Sequence, residues 1–367
     1  MTQSTDLLQQ LAEIATDSPL DAARQQRDAA TKHTQGSYDV LFHASASGEF
    51  PLAARLAIAR QVAHWHEEIP LAEHYASRLA NSSLADKWLP ALAHAERLTF
   101  TPAAATPEHL HALEQAGLCR ETIVTLSQLV GFVSFQSRLL RGLRLLNGEG
   151  VPAGNGEPTV AGGWNSASLT VSGKLAQVAF TRDELGWEPW LASKPLAEFN
   201  AVEQATLAKF GHSDSDYFRL LGRNLPLLEQ RTLADKGIFY TSGGLPRKER
   251  ELAATAASKV NGCIFCASVH ARKAVQLSKQ PDEVDRLIAT DPGKTLAEAQ
   301  SPRWLALIDL AASLSATPPV PTLAQLDTLR GLGLSEIELL DLVQSTAFFA
   351  WANRLMLTLG EPFIYAE

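Results

Sequence analysis

Only three cysteines occur in 367 residues, too few for a disulfide framework. Basic runs are missing as well: the formal net charge is -8 and no Lys/Arg-rich stretch appears, which argues against a nucleic-acid partner, because phosphate binding needs a concentrated basic face. Long apolar runs are absent. The longest, 129–135 and 346–351, fall far short of the ~20 residues that cross a bilayer, so no membrane association is expected. Residues 1–20 hold no apolar stretch flanked by basic residues, so no secretory signal is expected and the chain is placed in the cytoplasm. In that reducing setting a C-x-x-C pair points to catalytic, redox or metal chemistry rather than to a structural bridge. What remains, 46% hydrophobic and 20% charged, is an ordinary globular composition with length enough for two or more domains.

What the sequence does hold is helical periodicity. Apolar residues recur at helical spacing over 52–65, 71–79, 88–98, 107–116 and 120–146, with Pro, Gly, Thr or Asn at the joints, which predicts an all-α fold. The last of these segments is apolar almost all round, the pattern of a helix buried on most sides, often in a subunit interface. An internal repeat follows. Residues 106–140 and 322–356 align without a gap, and Thr106, Leu110, Leu113, Gly117, Leu118, Leu126 and Arg138 meet Thr322, Leu326, Leu329, Gly333, Leu334, Leu342 and Arg354. The spacing predicts two copies of one helical domain: 1–146, a linker at 147–193 rich in Gly and Pro with a short hairpin within 169–180, and 194–367. A slightly different offset sets His74 on His270, with Glu67 and Pro70 on Cys263 and Cys266, so the first copy lacks the thiols of the pair. Extra residues around 282–300 account for the change and predict a surface loop with a short helix.

Two of the three cysteines lie in Asn261-Gly262-Cys263-Ile264-Phe265-Cys266-Ala267-Ser268-Val269-His270. Asn261-Gly262 suits a left-handed helix stop, and a new helix is expected to begin at Cys263. The dipole and free N–H groups of its first turn would then favour a Cys263 thiolate. His270 follows Cys266 by four residues and Cys263 by seven, which places all three side chains on one face. Such a trio can act as a thiol redox centre: one thiolate takes a peroxide oxygen, the other closes a disulfide, and the histidine relays the proton. Glu251, on the preceding helix, is near enough in a hairpin to orient that histidine. Zinc is the competing reading, but a closed site needs a fourth ligand, and no second C-x-x-C or H-x-x-x-H exists. No cofactor is expected.

The run Glu251-x11-Cys263-x-x-Cys266-x-x-x-His270 resembles the alkylhydroperoxidase D-like proteins of the carboxymuconolactone decarboxylase-like superfamily over 246–276. Asp216-Tyr217-Phe218-Arg219-Leu220-Leu221 and Gly243-Gly244-Leu245-Pro246 resemble its peroxidase-related branch. The resemblance implies an all-α fold of two tandem alkylhydroperoxidase D-like domains, a thiol-free one fused to a thiol-bearing one. It also implies thiol-dependent reduction of hydroperoxides, with Cys266 as the peroxidatic thiol, Cys263 as the resolving one, and Glu251 and His270 as the proton relay. The partners it implies are a hydroperoxide substrate and a dithiol reductant, either a lipoylated or a thioredoxin-like protein. A homo-oligomer is expected, a trimer if each copy takes one position of a hexameric ring, otherwise a dimer. Phe265 departs from the family, which often has a second histidine before the second cysteine. The alternative is a non-redox assembly, decarboxylase-like or ligand-binding, whose cysteines are incidental.

Other groups receive plainer expectations. Glu249 reads as a solvated acid at a helix start. His64 and His66 are two residues apart and point to different faces, so the cluster with Glu67, Glu68 and His74 reads as a solvated end or a degenerate pocket. Cys119 reads as a spectator thiol at a helix start. Arg138 and Arg354, equivalent in the repeat, are expected to pair with buried carboxylates.

Overall fold

The computed structural model of the chain describes residues 6–43, 49–79, 84–150, 167–291 and 294–366. The first copy gives α1 (Leu7–Leu11), α2 (Pro19–Gln26), α3 (Asp28–Phe42), α4 (Leu52–Trp65), α5 (Ile69–Ser77), α6 (Leu89–Phe100), α7 (Pro107–Gln115) and α8 (Arg120–Leu146). The second gives α9 (Ala201–Phe210), α10 (Asp216–Leu221), α11 (Leu225–Phe239), α12 (Arg247–Val260), α13 (Ile264–Ser278), α14 (Pro281–Ala289), α15 (Pro302–Ser315), α16 (Leu323–Gly331) and α17 (Glu336–Thr358). Among the described residues the architecture is all-α apart from one antiparallel pair, β1 (Leu185–Pro189) with β2 (Gly360–Ile364). Helix starts follow the sequence: Thr106, Thr322 and Ser335 close capping boxes with the residue three positions on, which satisfies otherwise free N–H groups.

The repeat is visible in the element order. The run α3 to α8 recurs as α11, α12, α13, α15, α16 and α17, and α14 is the short helix expected around 282–300, where Pro292 and Gly293 lie outside the described residues. In the first hairpin α4 ends at His66, Glu67 turns with φ 54°, and Glu68 caps α5. In the second, α12 ends at Asn261, Gly262 turns with φ 78°, and Cys263 caps α13. This moves the sequence-based pairing by one residue. Glu68, Leu71 and Tyr75 stand where Cys263, Cys266 and His270 do, and His74 is not the counterpart of His270. The slip arises because an alignment drawn on one histidine ignores the left-handed turn residue, which must coincide in both hairpins for α5 and α13 to leave at the same angle.

The two copies share one core. α8 is buried from Thr122 to Leu143 and packs along α17. Their backbones approach so closely that a Cβ on Gly131 would stand 2.5 Å from Trp351 Cδ1, and one on Gly142 would stand 2.3 Å from Val343 Cγ1. Among the described residues α8 alone is long and apolar enough to cross a membrane, and here its cover comes from within the chain. Arg138 and Arg354 tie the copies reciprocally. Arg138 donates to the Ser315 and Ala316 carbonyls at 3.0 and 2.9 Å, and Arg354 donates to the Thr99 carbonyl at 3.0 Å. Neither meets a carboxylate among the described residues, contrary to expectation. Each instead caps carbonyl groups in the last turn of the other copy's equivalent helix, α15 or α6, where no intrahelical donor exists.

Helices α1 to α3 had no counterpart in the sequence reading, yet they are tied in firmly. Arg27, between α2 and α3, donates to both oxygens of Asp341 on α17 at 2.6 and 2.9 Å, and Arg250 on α12 joins the same carboxylate at 2.9 Å. Within the expected linker, 151–166 lie outside the described residues. The hairpin expected at 169–180 is a tight turn closed by a Leu169–Leu175 bridge, and the chain then runs on into β1.

Candidate active site

Helix α12 carries Glu251 and α13 carries Cys266 and His270, and the Asn261-Gly262 turn folds one helix back on the other. The structure therefore brings Cys263, Cys266, His270 and Glu251 together, as the sequence spacing expects. Glu251 Oε2 and His270 Nδ1 are 2.6 Å apart, and Arg247 Nε donates to Glu251 Oε1 at 2.9 Å. Burial alone would lower His270, but its hydrogen bond to Glu251 and the Glu251 and Cys266 charges outweigh it, so His270 holds its proton above the ordinary 6.5. Glu251 is held below its ordinary range, because His270 and Arg247 outweigh the effect of burial.

The two thiols differ. Cys266 lies in the first turn of α13, whereas Cys263 is its N-cap. Burial pushes both thiols up. For Cys266 this is overcome by a hydrogen bond from Cys263, the His270 charge and a hydrogen bond from Asn353, so its net shift is downward. Cys263 is pushed far up, by burial first and then by the neighbouring Cys266. The expected Cys263 thiolate is thus corrected. One negative charge is favoured in this turn, and it settles on the sulfur that faces His270.

Cys266 lines a cavity of about 500 Å³ whose walls include Trp187, Tyr217, Phe239, Phe348 and Phe349, and whose polar groups include Arg231, Asp235, Glu251 and His270. Cys263 lies behind it and lines a separate space of about 60 Å³, with Phe265 standing between the two. β1 supplies Trp187 to the wall, so part of the expected linker closes the site. Asn353, Arg231 and Asp235 were not singled out by the sequence reading, and Tyr217 entered it only within the stretch that resembles the peroxidase-related branch. Asn353 carried a signal, a polar residue inside the apolar α17, whereas Arg231 and Asp235 are four apart on α11 and read like any solvated helical pair.

In the first copy the matching positions are closed. Leu56, Leu71 and Tyr75 replace Glu251, Cys266 and His270 and are buried. Of the two readings of the cluster, a solvated end or a degenerate pocket, His64 and Glu67 fit the first, being exposed, whereas His66 and Glu68 are buried: His66 meets Ser134 Oγ at 3.0 Å, and Glu68 pairs with Arg141 and Arg144 at 2.8 and 2.6 Å. Glu249 is likewise buried and holds Arg303 through two 2.8 Å bonds, because α15 folds over the start of α12. Cys119 caps α8, with its sulfur 3.3 Å from Thr122 Oγ1. Among the described residues no three His, Cys, Asp or Glu side chains converge as a metal-ligand set.

No curated protein sequence matches the chain. Among solved structures, one similar chain is the alkylhydroperoxidase AhpD core of an uncharacterized peroxidase-related protein from Ralstonia eutropha JMP134. It is 22% identical, with a TM-score of 0.39, and the match covers 45% of this chain and 86% of that one. Residues 226–304 match the profile of the Carboxymuconolactone decarboxylase family. That match runs from α11 to the start of α15 and includes both thiols, Glu251 and His270.

Proposed function

We propose that the chain reduces organic hydroperoxides with its cysteine pair and is recycled by an external dithiol, a lipoylated or thioredoxin-like protein. The observation that carries this reading is the placing of the two sulfurs: Cys266 lines the cavity beside His270, with its thiol shifted toward ionisation, and Cys263 lies behind it, where burial pushes its thiol up. In the first step the Cys266 thiolate attacks the distal peroxide oxygen and the O–O bond breaks. The alkoxide leaves with a proton from His270, and Cys266 becomes a sulfenic acid. In the second step Cys263 gives up its proton and attacks the Cys266 sulfur, water departs, and a disulfide forms. Two thiols and one hydroperoxide become one disulfide, one alcohol and one water. Glu251 holds the imidazole in orientation and stabilises its charged form.

Thiol titration before and after one equivalent of cumene hydroperoxide tests this. The wild type is expected to lose two thiols and Cys266→Ser none. Cys263→Ser is expected to stop at a Cys266 sulfenic acid that dimedone traps. A wild type that keeps all its thiols would refute the peroxidase reading and leave a non-redox decarboxylase-like role.

A further inference from the structure

Arg231, on α11, is 6% exposed and faces the cavity beside Cys266. A guanidinium presents five N–H donors. Here one is used, in a long 3.3 Å bond to the Tyr217 hydroxyl, and Nε has no partner. Three ring faces stand around it, with Tyr217, Phe348 and Trp351 at 5.9, 5.2 and 5.6 Å from the guanidinium carbon, while Asp235 and Cys266 feel its charge without bonding to it. Other buried arginines differ. Arg27 and Arg250 share Asp341, Arg141 holds Glu68, and Arg138 spans three oxygens of the α15–α16 connection. Among the described residues no carboxylate lies within ion-pair distance of Arg231. Asp235, one turn on, forms no ion pair with it, and burial pushes that carboxyl up toward its neutral form. A buried cation with no counter-charge bonded to it is costly, so a ligand that brings a carboxylate to its free N–H groups is preferred.

We propose that the cavity takes a hydroperoxide built on a carboxylic acid, with the carboxylate on Arg231, the apolar body between the aromatic walls, and the peroxy group against Cys266. The volume, about 500 Å³, suits a body of one aromatic ring or a medium aliphatic chain. The peroxy end rests on the function proposed above, whereas the carboxylate end rests on Arg231 alone.

Calorimetric titration of the reduced full chain with 3-phenylpropanoate, its methyl ester and inorganic phosphate separates the two. The acid is expected to bind about 10-fold or more tightly than the ester, as a charge-assisted hydrogen bond would give. Arg231→Met is expected to abolish that preference and Arg231→Lys to keep part of it, with near-ultraviolet circular dichroism checking the fold of both. Equal affinity of acid and ester for the wild type would overturn the proposal, and that comparison needs no variant. So would a preference that survives in Arg231→Met, or phosphate binding as tightly as the acid. Binding is read without turnover. A chain that prefers the acid through Arg231 yet loses no thiols to cumene hydroperoxide keeps the carboxylate site and loses the peroxidase reading; the reverse result does the opposite.

Discussion

Glu251→Gln keeps the shape of the residue beside His270 and removes its charge, so it isolates what the carboxylate contributes. Turnover in the proposed reaction needs a Cys266 thiolate and a protonated His270. The rate therefore rises with pH through the Cys266 value, which lies below the ordinary 9.0, and falls through the His270 value, which lies above the ordinary 6.5. Without the Glu251 charge, burial governs His270 and moves its value down, so the falling limb shifts to lower pH. A neutral His270 no longer lowers Cys266, so the rising limb shifts to higher pH. The bell in kcat/KM for cumene hydroperoxide should narrow from both sides and lose of the order of 10²-fold at its peak. An unmoved falling limb would show that His270 is not the titrating acid. At this scale the sequence was informative where spacing carries geometry, since four residues in a hairpin place Glu251, Cys263, Cys266 and His270. It was silent where charge balance decides, because Arg231 is distinguished by the partner it lacks, and no spacing records that.

Among the elements, helices with a strong apolar period were legible, and α4 and α8 run as the pattern predicts. Helices α1 to α3 were not, because Gln, Asp and Thr dilute their period: the buried stripe of α3, Ala30, Thr34, Ser37, Tyr38, Leu41 and Phe42, is half polar, and an ion cluster at Arg27 adds to its packing. That cluster gives a test. Asp341 accepts from Arg27, Arg250 and the Leu245 amide, and it lies wholly buried where α17, α12 and the N-terminal helices meet. Asp341→Asn removes the charge with little change in volume and strands two buried guanidinium groups. The expected cost is about 3–5 kcal/mol of stability by chemical denaturation. The buried Glu249 pair with Arg303 is a control, because α15 still packs on α12 through apolar residues and Arg303 is partly exposed. Glu249→Gln should therefore cost less than Asp341→Asn, and the opposite order would mean that the Asp341 cluster is not what secures α2 and α3.

For the whole molecule, the repeat predicted two units, and the structure gives them a common interior. In the second copy α17 lies against α8, α11 against α3, and Arg354 ends on the Thr99 carbonyl, so much of what buries the thiol-bearing half comes from the other half. The fragment 194–367, the segment that the sequence alone marks off as the thiol-bearing domain, would expose the α8-facing side of α17, including Phe348 and Trp351, and would leave the Arg354 guanidinium short of an acceptor. An apolar face of that kind does not stay in water. The repeat offers it a substitute, since a second fragment presents the equivalent helix and the equivalent arginine, and the carbonyl of Ser315 stands where Thr99 does. The fragment should therefore form a two-fold homodimer or precipitate, and no folded monomer should exist at any concentration. Light scattering across a dilution series, with near-ultraviolet circular dichroism to follow the packing of Trp351, reads this directly. A monodisperse monomer with native-like aromatic signals would mean that the two copies are separable domains. The reciprocal arginines would then be a relic of duplication and not part of what holds the thiol site in shape.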